Sequence, residues 1–480
     1  MRNRRRLLPF LLGLVLFVAA LAWPSPPPSI DPEGQAVVLT PEGKAALGLF
    51  LLTAVWWVFE VVPVGVTAVL VGIIQSVWML RDTRAALTDF MDPSVWFIVG
   101  SLLIGGAFAK TGLTRRIAFR VLAIVPENTR LIYLGMFAMT AALTLVMAHT
   151  AVAAAVFPLL LVVHNLYEPG HRRTRFGKGL FIGMAWTAGA GSIITLLGAA
   201  RGAVALGFYH ELTGREISFF EVTWYMAPLG ALMLLLLWGW VCVAFPPERA
   251  TVPGLNRQAR ALHDALPPVS RREIGTLAVV TGVLALLTAR SFVPALAPLD
   301  KSVVILTGAV LLFIAGVLEL KDLENLPWNV VLLFGGAMSL GFCLWQTGAA
   351  EWLAIGWLGL FHGAPWLAFI MGVAAFVLLT TNFIMNVAAI AITLPVALVM
   401  AGHVNVEPEV VMFAALAAAG MPFMLLVGAA PNAIAYESGQ FSARDFFLYG
   451  IPPTLMLLGV ILLFVWRIWP AMGMPVLLGG

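Results

Sequence analysis

Two apolar stretches, about 130–163 and about 364–402, are each too long for one bilayer crossing and slightly short for two. A spanning helix needs roughly 20 apolar residues, and both stretches carry polar residues near their middle. A re-entrant hairpin that enters and leaves on one side fits them, provided its non-helical tip is buried in protein or lines a watery cavity. The two read as one device built twice. Met147-Ala148-His149-Thr150-Ala151-Val152 runs on to Pro158, and Met385-Asn386-Val387-Ala388-Ala389 runs on to Pro395. A Gly-rich break follows each: Gly198-Ala199-Ala200-Arg201-Gly202 and Gly428-Ala429-Ala430-Pro431-Asn432. A similar block precedes each: Gly100-Ser101 through Lys110-Thr111-Gly112, and Gly336-Ala337 through Gln346-Thr347-Gly348. Interrupted apolar segments at corresponding positions of two halves point to the binding site of a secondary transporter.

The rest of the chain supports a membrane reading. It is 61% hydrophobic and 11% charged, against about 25% charged in soluble domains, so the lipid bilayer is its main partner. A net charge of +4 reads as loop topology and not as nucleic-acid affinity. Cys242 and Cys343 lie in apolar runs and form no disulfide framework. No metal-ligand spacing or phosphate-binding loop is present, and no cofactor is implied by these residues. The 16 tryptophans read as interfacial anchors at span ends.

Eleven candidate spans accompany the hairpins: 7–23, 45–62, 64–80, 93–112, 179–207, 222–245, 275–293, 302–319, 329–347, 408–434 and 445–469. The expected fold is an all-α polytopic membrane protein of about eleven transmembrane helices plus two re-entrant hairpins. Arg115, Arg116 and Arg120 precede the first hairpin, and Arg172, Arg173, Arg175 and Lys178 follow it. Arg249, Arg257, Arg260, Arg271 and Arg272 lie in the long polar stretch 246–274. With the N-terminus inside, eleven spans put all three groups on the cytoplasmic face, as the positive-inside rule asks. The first hairpin then opens from inside and the second from outside. Each half holds five spans and a hairpin, and an odd number of spans per half makes the two repeats inverted. The expected organisation is an N-terminal span and external loop (1–44), a first repeat (45–245), a cytoplasmic linker (246–274) and a second repeat (275–480). Pro246-Pro247, Pro253-Gly254 and Pro267-Pro268 break the linker, leaving 255–265 as a short interfacial helix. The start, Met1-Arg2-Asn3-Arg4-Arg5-Arg6 before Leu7 to Ala22, fits a cleaved signal peptide or an uncleaved first span; the uncleaved span is preferred. The expected location is the cell (inner) membrane.

The motifs resemble the divalent anion:sodium symporter family, which carries dicarboxylates, citrate or sulfate. Trp56-Trp57-Val58-Phe59-Glu60-Val61-Val62-Pro63 looks like its Trp-Trp-x-x-Glu-x-x-Pro opening. Pro93-Ser94-Val95-Trp96 through Gly112, and Phe334-Gly335-Gly336 through Glu351-Trp352-Leu353-Ala354, resemble the blocks before its hairpins. In that family each tip carries Ser-Asn-Thr and each break Thr-Pro-Pro-Asn, and together they hold a sodium ion and one end of the substrate. This chain departs from the pattern. Its tips read Ala148-His149-Thr150 and Met385-Asn386-Val387. Its second break keeps Ala430-Pro431-Asn432, whereas the first reads Ala200-Arg201-Gly202. The resemblance therefore implies a substrate site at His149, Thr150, Arg201, Asn386 and Asn432, with any surviving cation site at Asn386, Ala430 and Asn432. It also implies a homodimer.

Arg201 falls where the resemblance puts the first cation. A guanidinium stays charged, and a charge at membrane depth is functional by default. It reads as a fixed cation replacing that sodium, with a structural ion pair as the plain alternative. His149 is a donor to the anion, a proton carrier or a neutral turn residue. Thr150 offers a hydroxyl at the same tip. Asn386 and Asn432 are substrate or cation contacts, or cross-hairpin hydrogen bonds; Thr380, Thr381 and Asn382 read as structural. Glu60 reads as structural more than as a proton carrier, and Lys110 as snorkelling to the surface. No acid, nucleophile or metal set accompanies His149, so the chain reads as a transporter of a small, divalent anion and not as an enzyme. Helix N-termini at the tips and breaks would face that anion. A transport-dead anion sensor, or an oxyanion or sulfate carrier on the same fold, remains the alternative.

Overall fold

Helices, most of them apolar, make up most of the structure, a computed structural model that describes residues 2–24, 28–30, 36–170, 172–296, 298–358 and 365–478. Pro26, expected in the external loop, and residue 364 lie outside these. Leu235, Val243, Leu277, Val310 and Leu455 stay exposed, which suits a surface solvated by lipid tails.

The expected duplication is visible as an order of elements that runs twice. Pro41–Val58, Val64–Val77, Thr83–Thr88 and Pro93–Lys110 open the first half; Arg271–Ala289, Lys301–Ile314, Leu320–Glu324 and Trp328–Gln346 open the second. An arm follows in each, Leu113–Ile124 and Ala349–Leu358. Next come the hairpins, Thr129–Leu143 with His149–Tyr167, and Trp366–Phe383 with Asn386–His403. The broken helices are Arg175–Ser192 with Arg201–Thr213, and Pro408–Ala419 with Ala430–Tyr436. Phe219–Ala244 and Ala443–Leu463 close the halves, both starting with a capping box, Ser218 with Glu221 and Ser442 with Asp445. Such a box satisfies two orphan N–H groups at once, so the same local signal sets the same boundary twice. Arg2–Ala22 packs along Pro41–Val58.

The halves interlock reciprocally. Val64–Val77 packs on Trp328–Gln346, and its counterpart Lys301–Ile314 packs on Pro93–Lys110. Glycine makes the first approach close: a Cβ at Gly336 would lie 2.6 Å from the Ala68 Cα. Small residues at such crossings let backbones meet where no hydrophobic drive separates helix from lipid. Polar side chains join the same seam. Gln75 donates to Ser339 Oγ at 2.9 Å, and Arg81 donates to Gln346 Oε1 at 2.7 Å while pairing with Asp89.

The first hairpin returns to the side it started from, because one loop holds both of its ends. Thr129 N donates to Ala250 O at 3.0 Å and Val252 N to Glu127 O at 2.9 Å at its start. At its end, Arg249 donates to Tyr167 O at 2.6 Å and pairs with Glu168 at 3.1 Å. Glu248 accepts from Arg175 N at 2.6 Å, tying in the broken helix that follows. The expected linker helix forms as Leu255–Asp264 and packs on the arm Leu113–Ile124, with Arg116 paired to Glu273 at 3.1 Å.

Several local expectations change. Stretches 179–207 and 408–434, each counted as one candidate span, form two helices around the expected Gly-rich break. The arms were not anticipated as elements; Leu113–Ile124 is amphipathic, and Arg115, Arg116 and Arg120 hide it from a search for uniform apolarity. Lys110 does not simply snorkel, since it pairs with Asp322 at 2.7 Å and Glu319 at 3.4 Å. Glu60 is exposed in a turn at φ +43°. Ser29–Ile30 and Ala36–Val37 form a small antiparallel ribbon beside the helices.

Candidate functional site

Four helices begin on residues singled out in the sequence: His149–Tyr167, Arg201–Thr213, Asn386–His403 and Ala430–Tyr436. None of the four has a side-chain cap, so their first N–H groups are left to loops or to a ligand. In the three longer helices the positive dipole end lies at the tip or break.

Each tip is bonded to the break of its own half. In the first, His149 N donates to Gly198 O at 3.0 Å, and Thr195 Oγ1 donates to Leu145 O at 2.9 Å. The His149 ring points the same way, with Nδ1 3.2 Å from Gly198 O. A carbonyl only accepts, so Nδ1 carries the proton and a neutral ring offers Nε2 as an acceptor. Glycine is required at Gly198, where a Cβ would come within 2.8 Å of Thr144 O. In the second half, Asn382 Oδ1 accepts from Met424 N at 2.9 Å and Leu425 N at 3.3 Å. Thr381 Oγ1 lies 2.9 Å from Asn386 Oδ1 and 3.1 Å from Ala419 O. Asn432 Nδ2 donates to Pro422 O at 2.9 Å and Leu425 O at 3.1 Å. The second break is thus shaped by three side chains, and the structural reading of Thr381 and Asn382 fits these bonds.

Arg201 links the two halves. It is 2% exposed and donates from Nη2 to Ser192 Oγ at 2.9 Å, while Nη1 meets no acceptor among the described residues. No charged side chain acts on it among the described residues. Its guanidinium lies against the start of the second break: a Cβ at Gly420 would sit 2.7 Å from Nη2. An uncompensated buried charge destabilises by about 3–5 kcal/mol, so this arrangement calls for an anion.

Beyond Gly420 lies a narrow cavity between the first tip and the second break, bordered by His149, Trp186, Gly420, Phe423, Pro431 and Asn432. Its room is that of about one water molecule, which suits one oxygen of a ligand and not a whole dicarboxylate. The cavity brings His149 and Asn432 together, with Arg201 one residue behind its wall and Asn386 connected through Thr381 and Ala419. Thr150 and Ala430 are exposed neighbours that do not line it. Sequence reasoning missed Ser192 and Trp186. The Gly189-Ala190-Gly191-Ser192 run is a usable signal for the first. Trp186 carried none, and it corrects the reading of the tryptophans as interfacial anchors, being mid-helix and 1% exposed.

Residues 13–475 match the family model described as the sodium:sulfate symporter transmembrane region. A sodium-dependent dicarboxylate transporter, SdcS of Staphylococcus saprophyticus, is 26% identical over 98% of this chain and 92% of its own length. SdcS of Staphylococcus aureus is 25% identical over 91% and 87%. Among solved structures, MtrF of Neisseria gonorrhoeae, presented as illuminating a class of antimetabolite efflux pumps, superposes with a TM-score of 0.61. It covers 98% of this chain and 97% of its own at 14% identity. The YdaH transporter of Alcanivorax borkumensis has a TM-score of 0.56 at 13% identity and the same coverage. These two share the fold.

Proposed function

The chain belongs to the divalent anion:sodium symporter family, and from that premise we propose that it is a secondary transporter of a small divalent anion, a dicarboxylate, working by alternating access. The observation that carries the specific reading is Arg201, buried between the two breaks with Nη1 unpaired and no carboxylate beside it among the described residues. It stands where a sodium ion would assist the substrate, and a guanidinium offers paired donors suited to a carboxylate. Sodium dependence is accordingly reduced or lost. Asn386, Ala430 and Asn432 form what remains of a cation site in the second half, while His149 borders the substrate cavity and Thr150 offers its hydroxyl from the exposed side of the same tip.

Repeats 45–245 and 275–480 insert with opposite orientation, and the N-terminus and linker face the cytoplasm. The reciprocal packing of the halves supports this arrangement, as does the gathering of Arg116, Arg249 and the linker helix beside both ends of the first hairpin. The hairpins and broken helices move as a body against the interlocked helices, which also mediate a homodimer. The test is counterflow in proteoliposomes loaded with succinate, citrate or sulfate. Labelled dicarboxylate should accumulate against protein-free vesicles. Absence of counterflow for every anion, with binding intact, would favour a sensor instead.

A further inference from the structure

We propose that Trp186 is the donor that orients the substrate: its indole N–H holds one oxyanion oxygen in the cavity between the first tip and the second break. This rests on the anion-transport reading and adds a residue that neither motif nor family pattern marks.

Trp186 lies in the middle of Arg175–Ser192, edges the cavity, and is 1% exposed. An indole nitrogen can only donate, and a buried one normally finds an acceptor. Trp469 is equally buried and donates to Tyr225 O at 2.9 Å; Trp57 donates to Val64 O at 3.2 Å. Trp186 Nε1 has no acceptor among the described residues. Its ring is wedged between Phe423 at 5.7 Å and Phe446 at 5.8 Å, so little side-chain freedom is left to lose on binding.

The other side-chain N–H donors of the cavity are committed elsewhere. Asn432 gives its amide to Pro422 and Leu425, and His149 gives Nδ1–H to Gly198, leaving a lone pair on the neutral ring. Arg201 acts from behind Gly420, bordering a separate small cavity beside Ser192 and Thr195 and not this one. Charge and direction are therefore divided: Arg201 supplies the field, and Trp186 supplies the hydrogen bond that fixes one end of the anion.

The test is succinate binding to the detergent-solubilised full chain, read as the concentration giving half of the maximal rise in Tm. W186F keeps an aromatic ring between Phe423 and Phe446 but lacks the N–H; W186H keeps an N–H donor and packs worse. A hydrogen bond to a charged group contributes about 1.5–3 kcal/mol, so W186F should raise the half-saturating concentration about tenfold or more. W186H should stay closer to the unsubstituted protein. A purely structural tryptophan gives the opposite order, with W186F the milder, and that result overturns the proposal, as does unchanged binding in W186F. No succinate or sulfate response in the unsubstituted protein would instead remove the anion reading on which the proposal stands.

Discussion

Arg201 sets stability against function at a single residue. Its guanidinium keeps one hydrogen bond, to Ser192, and Nη1 has no acceptor among the described residues. Replacing buried ion pairs with apolar side chains of similar volume is often neutral or stabilising, and a buried charge with no counter-charge has still less Coulombic gain to lose. R201M should therefore keep or raise the Tm of the ligand-free protein while reducing labelled dicarboxylate uptake to background. A variant that unfolds would instead mark Arg201 as part of the scaffold, and near-normal uptake would remove it from the anion site. Arg201 was legible in the sequence because charge at membrane depth is rare, so one residue stood out. Trp186 was not, since a tryptophan in an apolar run looks like any core or interface residue until its N–H is found without an acceptor.

At the scale of elements, hydrophobic length and polar interruption marked both hairpins and both breaks. They did not mark the arms, the first of which has its apolarity lowered by Arg115, Arg116 and Arg120, or the loop that clasps the first hairpin. That loop works through Glu248, whose value reflects contacts distant in sequence. Burial alone would raise the Glu248 pKa, but N–H donation from Arg175 and Phe176 and the Tyr167 hydroxyl outweighs it and holds it below the ordinary 4.5. A lowered carboxyl pKa contributes stability that is present above the unfolded-state value and is lost as pH falls through the folded-state value. The clasp should thus hold at neutral pH and loosen only below about pH 4.5. Hydrogen exchange at the 127–129 and 175–177 amides should rise in that range, whereas E248A should show the rise already at pH 7 and little further change on acidification.

At the scale of the molecule, the order of elements runs twice and the halves grip each other through Val64–Val77 on Trp328–Gln346 and Lys301–Ile314 on Pro93–Lys110. The repeat was legible because each block, tip and break kept its spacing even where its residues changed. The reciprocal grip was not, since it depends on close approaches such as Gly336 against Ala68, which hydropathy does not encode. The tips and breaks also differ between halves: Arg201 enters from the first toward the second, while Asn382, Thr381 and Asn432 shape the second. That asymmetry is why the central claim concerns coupling. The most direct test is labelled succinate counterflow in proteoliposomes with sodium on both sides and then with choline in its place. A resident Arg201 cation predicts that uptake survives in choline at a substantial fraction of its sodium rate. Uptake that vanishes without sodium would contradict the account and leave the chain an ordinary sodium symporter, with Arg201 in some other role.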